Sequence, residues 1–324
     1  MIKNPLTVAL MALATAFTPI ASQAQAWPER PIKVVVAYSP GSTGDNVIRL
    51  MTDSLGKKLG QPVIVENKSG AGGNIAAAGV ARAAPDGYTL LLGAANNYAA
   101  NQFLYKDMGF DPVKDFDPVM ALVDVPAVVF INTASSAKTF KEFVALAKAH
   151  KRKMSYGSPG IGTPPHLAAE LINQEADLGL VHVPYRGSPF TVAALLSNEV
   201  QMILAGSGVG LQHVKAGKLR AIAVGAKARL PEFPDTPTLK EVGLGNIKAS
   251  TWWGVAAPKG TPPAVLDKLR NAFAETLAEP KVQEGLRKLG TIPLSGADAD
   301  MGALVKEDSK YWEAAIKKMG VKVD

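Results

Sequence analysis

Four short segments carry the residue types that hold anions. They are Tyr38-Ser-Pro-Gly-Ser-Thr-Gly-Asp45, Asn67-Lys-Ser-Gly-Ala-Gly-Gly-Asn74, Tyr156-Gly-Ser-Pro-Gly-Ile-Gly-Thr-Pro-Pro-His166 and Pro184-Tyr-Arg-Gly-Ser188. Each is rich in glycine and hydroxyls, follows a strand pattern and precedes a helical one. Glycine lets the backbone approach a ligand closely. A helix start offers unpaired N–H groups and a partial positive charge, which suits a carboxylate or phosphate. One such loop is commonly only a tight turn. Four of them, two in each half of the fold, point to an anion held between the halves.

The candidate ligand-binding residues follow from these loops. The first gives Tyr38, Gly41, Ser42 and Thr43; the second gives Ser69 and Gly70. The third gives Ser158, Gly160, Gly162, Thr163 and His166. Arg186 could grip a carboxylate through its planar guanidinium. Asn96 and Asn97 follow the third strand, whose carboxyl end should face the cleft, and Ser207 completes the set. Tyr38, Tyr98, Tyr185, Phe190 and Trp252 could supply a flat wall for an aromatic acid; the alternative ligand is a short aliphatic di- or tricarboxylate. One ring of Trp252-Trp253 is expected in the core, and the other could face the cleft. Asp45 is expected as a helix cap or first-turn acid, with ordering of the first loop against the ligand as its alternative role.

Other chemistries lack their residues. Cysteine is absent, which excludes disulfides, thiolate metal sites and cysteine nucleophiles. Neither Gly70-Ala-Gly72 nor Gly160-Ile-Gly162 has the third glycine of a dinucleotide fingerprint, and no segment reads as a P-loop. His166 and Glu170 share a helix face at i, i+4, but two ligands without a third make no useful metal site; His166 is read as a partner of its own loop backbone. There is no nucleophile elbow, and Ser158 has no evident basic partner. No catalytic residue, metal or cofactor is therefore expected.

The elements that must position these loops alternate short apolar runs with helical patterns. Strands are expected over 32–37, 62–66, 88–92, 154–156, 180–183, 200–205 and 221–224. Helices are expected over 45–59, 75–83, 140–150, 165–175, 190–196, 263–278, 280–289 and 299–319. Such alternation implies βαβ units and parallel sheets. Extended stretches at 119–131 and 249–257 could carry the chain from one α/β unit to the other and back. The expected fold is α/β, with two lobes and a cleft between them. One lobe comprises residues 27–124 plus 250–324, and the other comprises 125–249.

The chain has 324 residues, 47% hydrophobic and 19% charged, with a formal net charge of +7. These values describe a globular chain. The basic and acidic residues are interspersed, so no nucleic-acid stripe is present. Residues 1–26 read as a cleavable signal peptide: Lys3, an apolar stretch from Leu6 to Ala16, then Ala24-Gln25-Ala26. Pro19, Ser22, Gln23 and Gln25 keep the apolar part below the roughly 20 residues of a membrane span. The mature chain is expected to diffuse freely in the periplasm of a Gram-negative cell.

The sequence resembles the solute-binding receptors of tripartite tricarboxylate transporters, the Bug receptor family. The matching segments are Pro40-Gly-Ser-Thr-Gly-Asp45, Asn67-Lys-Ser-Gly-Ala-Gly-Gly73, Pro85-Asp-Gly-Tyr-Thr-Leu90, Tyr156-Gly-Ser-x-Gly-x-Gly-Thr-x-x-His166, His182-Val-Pro-Tyr185, Pro234-Asp-Thr-Pro-Thr238 and Trp253-Gly-Val-Ala-Ala-Pro-Lys-Gly-Thr-Pro262. Their order and spacing cover nearly the whole mature chain. The resemblance implies a periplasmic binding fold of the type II kind, monomeric, closing on one small carboxylate. It implies that the two loops of the first lobe and the third loop hold this ligand, and that transporter membrane subunits are the partners. Presentation of the ligand to a membrane histidine kinase is the alternative, and a hydrolase using Ser158 a more remote one. Ser42, Arg186 and Ala194 depart from common family residues, and these departures bear on the ligand rather than the fold.

The exported protein is expected to begin at Trp27. Intact mass and N-terminal sequencing check this; a mature form that retains Met1 and pellets with membranes contradicts it.

Overall fold

The computed structural model describes residues 27–323, so the expected signal peptide lies outside the described residues. Two mixed sheets organise the chain. The first contains β1 (Ile32–Val36), β2 (Val63–Asn67), β3 (Thr89–Ala94), β4 (Phe116–Val125), β10 (Thr251–Pro258) and β11 (Ile292–Pro293), in the order β11-β4-β10-β3-β1-β2. The second contains β5 (Ala127–Asn132), β6 (Ser155–Ser158), β7 (Val181–Pro184), β8 (Met202–Gly206) and β9 (Leu219–Gly225), in the order β7-β6-β8-β5-β9.

The expected βαβ units are parallel, as β1 is with β2 and β3, and β6 with β7 and β8. The sheets are not wholly parallel, however. β10 runs antiparallel between β3 and β4, and β5 runs antiparallel between β8 and β9. These are the strands next to the crossings. The chain leaves the first sheet at Val125, turns at Pro126 and enters the second at Ala127. It returns after Gly225 and rejoins the first sheet at Thr251, which pairs with Val125. A strand entering from another lobe has no crossover helix to force it parallel.

Alternation along the strands builds a core on each face of the first sheet. Val34 and Val36 of β1, with Val255 and Ala257 of β10, pack under α1 (Thr43–Leu59), α8 (Pro263–Ala278) and α9 (Pro280–Lys288). Val35, Leu91 and Trp252 face the opposite side, with α2 (Asn74–Ala81) and α10 (Met301–Met319). The second sheet is likewise covered on both faces. α4 (Phe140–Ala149) and α5 (Pro164–Glu175) lie on one, and α6 (Ser188–Leu196) and α7 (Ser207–Lys215) on the other. Three elements carried little sequence signal: a π-turn at Asn96–Ala100 running into α3 (Asn101–Leu104), α7 with its two glycines, and the two-residue β11.

The lobes are closed on each other. Asn96 Nδ2 donates to Gly162 O at 3.1 Å, and Tyr105 Oη to Ile161 O at 3.1 Å. An apolar cluster joins Leu104, Leu167, Leu171, Trp312, Ile316 and Met319 from both lobes. Near the crossings, Ser207 Oγ donates to Gly290 O at 2.6 Å. There Gly208 and Gly290 bring two backbones so close that a Cβ on Gly290 would lie 2.3 Å from the Gly208 nitrogen. Among the described residues, no helix is long and apolar enough to cross a membrane.

Gly290 also has φ +72°, a conformation that L side chains rarely adopt. Gly290→Ala therefore combines backbone strain with a clash, and should cost about 1–3 kcal/mol. Thermal unfolding checks this; a melting temperature equal to wild type contradicts it.

Candidate functional site

A cavity of about 60 Å³ lies between the lobes, at the carboxyl ends of β1, β6 and β8. The first lobe contributes Tyr38, Ser39, Ser42, Thr43, Thr251 and Trp253, and Val125 lines it at the crossing. The second contributes Pro159, Thr163, Pro164, Pro165, Gly187, Ser188, Ala205 and Gly206. No charged side chain lines it. An open groove of about 590 Å³ adjoins it, sharing Thr43 and Ser188 and reaching His213, Lys288 and Leu289.

Helix starts supply the cavity's polarity. α1 begins at Thr43, α5 at Pro164 and α6 at Ser188, and all three residues line it; α7 begins one residue beyond the lining Gly206. Each start carries roughly half a positive charge. Among the described residues, the N–H groups of Thr43, Gly44, Gly187 and Ser188 have no backbone or side-chain acceptor. α5 brings its dipole but few donors, because Pro164 and Pro165 have no N–H. Converging helix N-termini and free amides can hold a carboxylate without a cationic side chain.

The first loop is shaped by its own side chains. Ser42 caps α1 by accepting from the Asp45 N–H at 3.4 Å. Asp45 is therefore not the cap but the acid in the first turn of α1, the other half of that expectation. Its buried carboxylate accepts from Gly41 N and from Arg49 Nε, both at 2.9 Å, and from Asn67 Nδ2 at 2.9 Å. Asp45 thus ties the first loop to the second, which was its alternative role. Tyr38 Oη donates to Asn96 Oδ1 at 2.7 Å, and burial pushes this phenol's pKa upward.

Several expected contacts lie elsewhere. Ser69 is exposed, and neither it nor Gly70 lines the cavity. The second loop instead offers Gly72 O to Asn96 Nδ2 at 2.8 Å and to Asn97 Nδ2 at 2.9 Å. That turn needs glycine: Gly72 has φ +61° and Gly73 φ +94°, and a Cβ on Gly73 would lie 2.4 Å from Asn97 Nδ2. Asn96 and Asn97 are buried braces rather than cavity walls. Arg186 is exposed and outside the lining, because the Gly187 turn carries it away from the cavity. Ser207 is fully engaged with Gly290.

The aromatic wall does not assemble either. Tyr98 stacks on Trp252 in the core with centroids 5.6 Å apart, and Trp252 Nε1 donates to Asp308 at 2.9 Å. Phe190 is 60% exposed, and Tyr185 donates its hydroxyl to Glu199. Only Tyr38 and Trp253 among the aromatics line the cavity. The tryptophan pair divides as one ring for the core and one for the cleft: Trp252 is in the core and Trp253 lines the cavity, separated by strand alternation.

Beneath the third loop lies a buried polar stack. His166 Nδ1 accepts from Gly162 N at 3.2 Å, as expected for a partner of its own loop. Thr163 Oγ1 donates to Gly160 O at 2.7 Å. Of the third loop's candidates, Thr163 lines the cavity, whereas Ser158, Gly160, Gly162 and His166 do not. Ser158 Oγ and His182 Nε2 are 2.6 Å apart, which corrects the expectation that Ser158 lacks a basic partner. Their positions 24 residues apart meet only because β6 pairs with β7. His182 stacks between Tyr156 and His166, at 4.9 and 4.2 Å between centroids. Glu170 accepts from Tyr156 Oη at 2.6 Å and Gln174 Nε2 at 2.9 Å, which removes it from any metal role. Among the described residues, no three His, Cys, Asp or Glu are placed to hold a metal.

This arrangement is that of a two-lobed solute-binding protein, with a closed cavity at the strand ends and both histidines of the stack engaged inside one lobe. The model of the tripartite tricarboxylate transporter family receptor matches residues 47–321, and the chain belongs to that family. It is 36% identical over 316 residues to the UPF0065 protein in the gbd 5' region of Cupriavidus necator, covering 98% of this chain and 95% of that protein. A solved structure of a periplasmic transporter is 37% identical with TM-score 0.88, covering 92% of this chain and 100% of its own. MatC of Rhodopseudomonas palustris with bound malate is 31% identical with TM-score 0.85, covering 90% and 100%.

Burial pushes the pKa of His166 down to about 3, aided by the neighbouring His182, and burial pushes that of His182 down to about 4. Both are neutral in the folded state, whereas the unfolded chain protonates them below about 6.5. Stability should therefore fall as pH drops from about 6.5 towards 4, by up to about 1.4 kcal/mol per unit for each histidine. His182→Gln should flatten that dependence in unfolding measured across the window. A slope equal to wild type contradicts the buried neutral pair.

Proposed function

We propose that this chain is a periplasmic receptor that captures a small carboxylate and delivers it, unchanged, to the membrane subunits of a tripartite tricarboxylate-type transporter. The observation that carries the proposal is the cavity between the lobes, lined by helix starts from both and by no charged side chain. Family membership supports the transporter role, and the malate bound by MatC supports a carboxylate ligand. Residues 27–124 with 250–324 act as one lobe and 125–249 as the other, pivoting at the two crossings. Release requires the Asn96–Gly162 and Tyr105–Ile161 bonds to part.

Of the candidate residues, Ser42, Thr43, Thr163 and Tyr38 meet the ligand. Gly41 shapes the first loop, and Asn96, Asn97, Gly160, Gly162 and His166 hold the walls in place. A hydrolytic role for Ser158 is disfavoured by its complete burial outside the lining. Among the described residues, no carboxylate bonds to His182 to orient it as a base.

A cognate carboxylate at 100 times its dissociation constant should stabilise the folded chain by about 2.7 kcal/mol. Thermal shifts against succinate, malate, citrate, glutamate and neutral analogues check this. Stabilisation only by neutral or cationic molecules contradicts the proposal.

A further inference from the structure

We propose that Thr251 and Trp253 recognise a second oxygen on the ligand, beyond the carboxylate held by the helix starts. This rests on the carboxylate reading above. Thr251 Oγ1 and Trp253 Nε1 are both buried without any hydrogen-bond partner. Both residues line the cavity. A buried polar group left unpaired costs folding free energy, and nearly all such groups find partners. Among the described residues four buried side-chain atoms lack a partner, and these two lie on one strand, on residues that line the cavity, where a ligand supplies what the protein does not.

Strand geometry makes the pair a unit. Residues two apart on β10 share a face, so Thr251 and Trp253 face together while Trp252 turns away to Asp308. Thr251 pairs with Val125, next to the crossing at Pro126, which places it at the hinge end of the cavity. The indole N–H can only donate, so the ligand group it meets must accept: a hydroxyl, keto or second carboxylate oxygen.

An aromatic acid finds no assembled wall here: Tyr98, Tyr185, Phe190 and Trp252 lie outside the lining.

Calorimetry on the purified exported protein tests this, using lactate, malonate and malate against butyrate, which has no second oxygen. Wild type should bind one of the first three at least about tenfold tighter than butyrate. Thr251→Val removes the hydroxyl at nearly constant shape, and Trp253→Phe removes the N–H while keeping an aromatic ring. Each should lose about tenfold or more on that ligand, with butyrate binding unchanged. Circular dichroism and thermal unfolding confirm that each variant is folded; if one is not, the other carries the comparison. An unaltered preference in the folded variants overturns the inference. Binding of butyrate as tightly as of lactate, malonate and malate overturns it while leaving the carboxylate reading intact. Binding of none of the four acids overturns both.

Discussion

The proposed function sets one physical constraint on the fold: a buried anion must be neutralised without a cationic side chain. A carboxylate taken out of water loses a large solvation energy, and it must be repaid by groups already in place. Here the available groups are helix dipoles and free backbone amides. A dipole's effect fades within the first turn of a helix, so several helices must begin within a few ångströms of one point. α1 and α6, from opposite lobes, can both do so only when the cleft is shut. Closure and binding are then one event.

The remainder of the fold holds those helix starts still. Strand order places the carboxyl ends of β1, β6 and β8 together, so that the loops leaving them meet. Each loop is then braced from behind. Asp45 binds the first to the second, the asparagines after β3 converge on Gly72 O, and His166 holds the Gly162 amide. The side chains that sequence inspection marks as ligand contacts are thus partly spent on shaping the backbone. Preorganised loops of this kind lose less entropy when a ligand arrives.

The regular elements were legible because the patterns are local. The apolar run of β1 and the spacing Val47, Met51 and Leu55 in α1 are enough to place them. The antiparallel insertion of β10 was not legible, since it depends on where a returning strand finds a free edge. The π-turn after β3 and the glycine-containing α7 lack a helical apolar stripe and were missed for that reason. At the site, the loops were legible by composition, whereas the direction of each side chain was not. Arg186 sits next to a lining glycine yet points its residue outward, and Ser158 meets His182 only through strand pairing. Thr251 carried no motif and Trp253 only the start of a family segment; burial without a partner is visible only in three dimensions.

Family membership shows the fold and supports a carboxylate ligand, and the proposed function has the helix starts around the cavity hold it. The most direct test of the central claim is a crystal structure of the protein with its carboxylate bound. The account predicts carboxylate oxygens within hydrogen-bond distance of the amides at the starts of α1 and α6, and no lysine, arginine or histidine nitrogen within 4 Å of them. A carboxylate clasped by Arg186, or by any other cationic side chain, would contradict it.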